Sequence, residues 1–224
     1  MIAPRKHRYS PQSMQSVHLE SAKTADDFEI RAASAAGTVQ ACVINMVSDL
    51  VTQAAYEEME VKDHLVTADP ERDIIKVAAV DRTVHPGKQF NGLIKGFQLK
   101  SGALASSTAW DSTAIIVVGA TDSDMALAIN RIRDLNGGVV VCQQGKVLGE
   151  LTLPIFGLMS TLPLKALADK TKTINRVLAD LGVPFRDPLL TLSTLTSAAI
   201  PFVRICEEGL VGLKDGQQID LMAP

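Results

Sequence analysis

Aromatic residues are scarce in this 224-residue chain: 4% of the whole, with two tyrosines, six phenylalanines and a single tryptophan, Trp110. Small and β-branched side chains must therefore fill the core, as in tightly packed α/β layers. Cysteine is nearly as rare. Cys42, Cys142 and Cys206 are odd in number and far apart, which argues against a disulfide framework and for buried thiols in a reducing, cytoplasmic setting. No one sign of charge dominates, since 22 basic residues face 25 acidic ones. A general nucleic-acid surface or an anionic-membrane surface is therefore not expected. The longest apolar runs, such as Ala114 to Ala120, are far too short to span a bilayer. Arg5, Lys6 and Arg8 have no apolar run behind them, so a secretory signal is not expected.

What is present points to an α+β (mixed α/β) protein, with β-sheet layers packed against two principal helices. Residues 1–15 read as a linker with Pro4, Pro11 and no periodicity, and residues 16–224 as one domain. Thr24-Ala-Asp-Asp-Phe28 reads as a short capped start that turns Phe28 and Ile30 inward. Strands are expected over Val39–Met46, His64–Ala68, Ile74–Val80, Gly92–Leu99, Ala103–Ser107 and Ala114–Gly119, while Val47–Met59 reads as a strand running into a short helix. Asp69 to Asp73 is a charged turn, and His85-Pro86-Gly87 forces another. Thr121-Asp-Ser-Asp124 is a strong helix start. The helix it opens, over 122–135, places Met125, Ala128, Ile129 and Ile132 on one face and ends at Asn136-Gly137-Gly138. Val139–Cys142 and Lys146–Leu151 form a hairpin about Gln143-Gln144-Gly145. A second helix over 164–181 carries an apolar stripe from Leu164 through Ile174 to Leu181, and Leu210–Leu213 pairs with Gln218–Leu221.

Reactive constellations are few. His7, His18, His64 and His85 form no H-x-H or i, i+4 pair, and no cysteines have zinc-ligand spacing, so no metal site is assigned. A site assembled in space from His64, His85 and a carboxylate is the alternative left open. Ser106, Ser107 and Ser112 have no nearby histidine to serve as base and no G-x-S-x-G elbow. There is no Walker pattern and no G-x-G-x-x-G. Lys95 and Lys100 stand beside glycines, where the plain reading is a solvent face and the functional one is the border of a shared cleft. The best candidate is the polar run Ser106 to Thr113, which enters a buried strand through Trp110 and Asp111. A packed lid or interface anchor explains the tryptophan without chemistry, and contact with a planar purine is the alternative.

Across Ser16 to Leu221 the chain resembles the C-terminal domain of the adenine deaminases, members of the metal-dependent amidohydrolases. The landmarks are TADDFEI (Thr24 to Ile30), VTADPERDIIKVAAVDR (Val66 to Arg82), GLIKGFQLKSGALASS (Gly92 to Ser107), Asp111-Ser112 followed by IIVVGATDSDMALAINRI, then NGGVVV and GKVLGELTLPIFGLMS. Their order and spacing agree throughout. The family pattern around the central acid runs A-H-D-S-H-N, and this chain has Ala109-Trp110-Asp111-Ser112-Thr113-Ala114. Trp110 and Thr113 thus replace histidines, and only Asp111 and Ser112 carry over. The glycine triplet before the valine strand is here Asn136-Gly137-Gly138.

The resemblance implies hydrolysis of adenine to hypoxanthine and ammonia as the family reaction. It places the divalent metal (manganese or iron) and the proton-shuttling acid in an N-terminal barrel, to which nothing in this sequence corresponds. It implies no catalytic residue and no cofactor in this chain, with a barrel domain or subunit and further copies of itself as partners. The expected role is to pack against the barrel, wall its active site or support oligomerisation. Asp111 and Ser112 are then the cleft-facing candidates, and Lys95, Lys100 and Trp110 the candidate substrate contacts. A purine-binding module without turnover is the alternative.

Overall fold

The computed structural model describes residues 7–223. Its strands are β1 (Ile30–Arg31), β2 (Ala36–Met46), β3 (Thr52–Lys62), β4 (Leu65–Val66), β5 (Ile74–Asp81), β6 (Gln89–Lys95), β7 (Ala103–Ser106), β8 (Ala114–Gly119), β9 (Gly138–Gln143), β10 (Lys146–Thr152), β11 (Val203–Cys206), β12 (Gly209–Gly212) and β13 (Gln217–Ile219). The α-helices are α1 (Asp122–Leu135), α2 (Leu164–Asp180) and α3 (Pro188–Ser193). The chain is therefore a mixed α+β protein. Ten strands form one sheet in the order β1-β4-β3-β2-β6-β5-β8-β7-β9-β10, and β11-β12-β13 form a small second sheet. No helix among the described residues is long and apolar enough to cross a membrane.

Period-two alternation sorts the central strands between two layers. Ala78, Val80, Ala105, Ile115, Val117 and Val140 pack on Met125, Ala128, Ile129 and Ile132 of α1. Their neighbours Val77, Ala79, Leu104, Ile116, Val118 and Val141 face the opposite layer, built from α2, α3 and the small sheet. With both faces covered, β5 and β8 are buried along their whole length, which is why β8 reads as an unbroken apolar run and β5 is apolar apart from the buried Lys76 and the terminal Asp81.

α1 spans 122–135 as expected, and Asn136 closes it in the left-handed conformation (φ 56°). Asp124, 3% exposed, accepts from Thr121 Oγ1 (2.9 Å) and from the amides of Gln144 and Gly145 (3.1 and 2.9 Å), so the helix start also clamps the β9–β10 turn. The backbone at Gly102 has φ 80°, and a Cβ there would lie 2.2 Å from the Cys142 carbonyl oxygen. Only glycine lets the chain enter β7 so close to β9.

Several expectations are corrected. The 47–59 stretch contains no helix: despite helix formers such as Ala54, Ala55, Glu57 and Glu58, β3 pairs with β2 from Ala36↔Lys62 to Met46↔Thr52, and that ladder overrides local propensity. The strand read over Gly92–Leu99 lies at Gln89–Lys95. α3 and β11, in a tail read only as mixed strand and turn candidates, form part of the second layer. Residues 1–6 of the segment read as a linker lie outside the described residues. Its C-terminal part is docked: Gln12–Met14 form a 3-10 turn, Ser13 O accepts from Phe156 N (2.7 Å), and the Asn136 side chain binds Met14 O and the amides of Ser16 and Val17. In α2 the apolar stripe is only half used, since Ile174 and Leu178 are buried while Leu164 is 81% exposed.

Candidate functional site

Beyond β5 the chain turns sharply around a buried carboxylate. Asp81 accepts from the amides of Thr83 (2.8 Å), Val84 (3.2 Å) and His85 (2.6 Å) and from Thr113 Oγ1 (3.1 Å). Burial works to raise its pKa, but these four bonds outweigh it and hold the carboxyl below the ordinary aspartate range. The Thr113 bond ties the turn to the Ser106–Thr113 loop that leads into β8.

That loop is grafted onto the end of α3. Ser106 Oγ, Thr108 Oγ1 and Ser193 Oγ form a hydroxyl chain with links of 2.7 Å. Trp110 N donates to Ser193 O (2.9 Å), and Thr196 Oγ1 donates to Trp110 O. Asp111 has φ 58°, and its Oδ2 accepts from the buried Ser197 hydroxyl at 2.8 Å. Ser112 Oγ accepts from Ala114 N (3.0 Å). The polar run is thus fastened at each residue from Thr108 to Thr113, apart from Ala109.

Beneath it opens a cleft of about 910 Å³. Asp111, Ser112 and Thr113 form one wall, Phe156 and Leu158 another, Gln15, Ser16 and His18 a third, and Cys206 and Glu207 of the β11–β12 turn close it. Arg82 lines it too, although the residue is only 4% exposed. Its Nη1 donates to Ser16 O (2.6 Å) and its Nη2 to Phe156 O (3.0 Å), so one guanidinium staples the N-terminal strap and the 155–159 loop to β5. Burial draws its pKa below the ordinary arginine value, opposed by the neighbouring Asp81 charge.

Asp111 and Ser112 therefore share one cleft, and Trp110 stands between two of its lining residues with its own side chain 47% exposed. The lysines lie apart from it. Lys95 Nζ sits 2.5 Å from Glu57 Oε1, and this bond, with help from Arg72, lowers the Glu57 pKa against the opposing effect of burial. Lys100 bonds through its amide to Leu181 O (3.0 Å), and neither lysine lines the cleft. Among the described residues no three His, Cys, Asp or Glu side chains come together as metal ligands, so His64 and His85 do not join a carboxylate in one site. Sequence reasoning missed Arg82, Ser193, Thr196, Ser197 and Phe156. Arg82 alone left a trace, in the charged pair Asp81-Arg82 that follows the apolar stretch Val77 to Val80.

A family model of the adenine deaminase C-terminal domain matches residues 49–217. The chain is 36% identical over 207 residues to an adenine deaminase of Clostridium botulinum (strain Langeland), covering 92% of this chain and 34% of that protein. It is 39% identical over 188 residues to an adenine deaminase of Brucella abortus (strain 2308), covering 84% and 32%. The chain thus spans about a third of the length of the curated relatives it matches.

Proposed function

Since the chain belongs to the adenine deaminase C-terminal domain family, we propose that it serves such an enzyme as a companion module, packing against a catalytic barrel and walling its active site with the cleft face. The observation that carries this reading is the apolar rim of the cleft. Trp110, Phe156, Leu158 and Met159 are 47%, 53%, 47% and 53% exposed, on loops fastened by backbone hydrogen bonds to Ser193 and Ser13. Aromatic residues and methionine at an exposed, preorganised rim are what a protein interface uses. The two thirds of the relatives that this chain does not match supply the surface to cover it.

The divalent metal of the family does not fit the residues described here, because no ligand triad converges. We therefore derive no chemical step through it and assign this chain the positioning of Asp111 and Ser112 toward the shared cleft. Ser197 and Thr196 are the positioning residues behind them.

The test is a chimaera in which this chain replaces the matching C-terminal third of the Brucella abortus enzyme. Adenine deamination by the chimaera, lost or sharply reduced in W110A and F156A versions, is the expected result. Turnover of adenine by the purified chain alone, supplied with manganese or iron, would overturn the reading. The cleft volume also accommodates a purine, which supports the second reading of a binding module without turnover. A thermal shift specific to adenine or hypoxanthine would favour it.

A further inference from the structure

The floor of the cleft holds an unusual concentration of unsatisfied polar atoms. Ser16 Oγ, Arg82 Nε and Thr83 Oγ1 are all buried without a hydrogen-bond partner, and all three residues line the same cleft. Native proteins leave few such groups, because each forfeits its hydration with nothing in return. Ser16 and Arg82 are 6% and 4% exposed. They are also close together: a Cβ placed on Gly157 would lie 3.1 Å from Ser16 Oγ and 3.0 Å from Arg82 Cζ.

No carboxylate among the described residues touches the Arg82 guanidinium, although the nearby Asp81 charge acts on it. Arg82 spends its Nη hydrogens on two neutral carbonyls, and no carboxylate among the described residues forms an ion pair with it. Asp81, its sequence neighbour, is fully engaged by Thr83, Val84, His85 and Thr113. A buried guanidinium with a free Nε–H, with the Ser16 hydroxyl close by and the Thr83 hydroxyl on the next residue of the chain, suits an oxygen anion. The cover above it is strained. Phe156 and Gly157 have φ 55° and 70°, and a left-handed phenylalanine persists only where its surroundings hold it.

We propose that Arg82, Ser16 and Thr83 form a receptor for a carboxylate at the floor of this cleft. The guanidinium donates from Nε and the two hydroxyls rotate to donate beside it. Asp111 and Glu207 also line the cleft, so the ligand is a small acid or an acidic side chain whose remaining groups offer these carboxylates a donor. This inference stands on the floor geometry and does not depend on the companion-module reading.

The experiment uses the purified chain labelled with ¹⁵N, following the Arg82 Nε–H resonance and that of the lone tryptophan. Acetate and succinate are titrated at constant ionic strength, beside acetamide and chloride as controls, and a short peptide with one glutamate among leucines forms a separate arm. We expect saturable movement of the Arg82 resonance with carboxylates and none with acetamide or chloride. Saturation by the small acids identifies a free ligand, and saturation by the peptide alone identifies a polypeptide side chain. S16A and T83V keep the carbonyl staples of Arg82, because Ser16 holds it through its backbone oxygen, and each should weaken binding about tenfold. R82K, which keeps the charge and loses the fork, should abolish it. No saturable response to any carboxylate, an equal response to acetamide or chloride, or undiminished binding by S16A and T83V would overturn the proposal.

Discussion

Two buried ionisable residues give opposite signatures at the scale of single side chains. Asp81 keeps its carboxyl below the ordinary range, so its folded pKa lies below its unfolded value of about 3.9. Its contribution is complete above the unfolded pKa and is lost as pH falls through the folded one. Acid titration of stability should therefore show a loss below about pH 4 that D81N removes, at a cost of about 2 kcal/mol near neutrality. Equilibrium denaturation across pH 2–7 with both proteins checks this. Cys142 goes the other way: burial, with Asp124 and Glu150 nearby, pushes its thiol up to about 12. Cys42 is also raised by burial, whereas Cys206 is half-buried at the cleft. Alkylation followed by mass spectrometry should label Cys206 alone in the folded protein, and all three after unfolding. That contrast was legible in part, since Cys42 and Cys142 fall within apolar strands while nothing local marks Cys206 as different.

The helices separate what pattern can say from what packing decides. α1 was readable to the residue because its acidic first turn, apolar face and left-handed stop all agree, although the Thr121 hydroxyl bonds the Asp124 side chain instead of capping a backbone amide. α2 was readable as a helix, but its stripe does not reveal which apolar residues find a partner. Ile174 and Leu178 are buried in the core, whereas Leu164 projects into solvent. I174A should cost about 2–4 kcal/mol and L164A less than about 0.5 kcal/mol by urea denaturation. Equal losses would mean that the first turns of α2 are covered in solution. β3 is the contrary case. Its alanines and glutamates suit a helix, and only the long ladder with β2 makes it a strand.

Across the whole molecule the N-terminal strap is part of the structure. Asn136, the cap of α1, binds Met14, Ser16 and Val17, while Ser13 holds Phe156 and Arg82 joins Ser16 to the same loop. A chain lacking residues 1–15 should lose about 1–3 kcal/mol, since the bonds of Phe156 N to Ser13 O and of the Asn136 side chain to Met14 O go together. A linker without contacts would be removable at no cost, so unchanged denaturation midpoints would refute this arrangement. The cleft depends on the same long-range ties, being walled by segments as distant as Gln15 and Glu207.

By itself the sequence determined the mixed α+β class, most of the central strands and the limits of α1, because each follows from periodicity or turn chemistry within a few residues, and the order of its landmarks carried the resemblance to the family. It also singled out Asp111 and Ser112 from the pattern around the central acid. Tertiary structure alone decided that these two line a cleft with Arg82, that Lys95 turns instead to Glu57, and that Ser193, Thr196 and Ser197 set the loop in place. The physical reason is sequence separation. Hydrogen bonds such as Ser197 to Asp111 or Arg82 to Ser16 join residues many positions apart, and no local periodicity encodes such pairings.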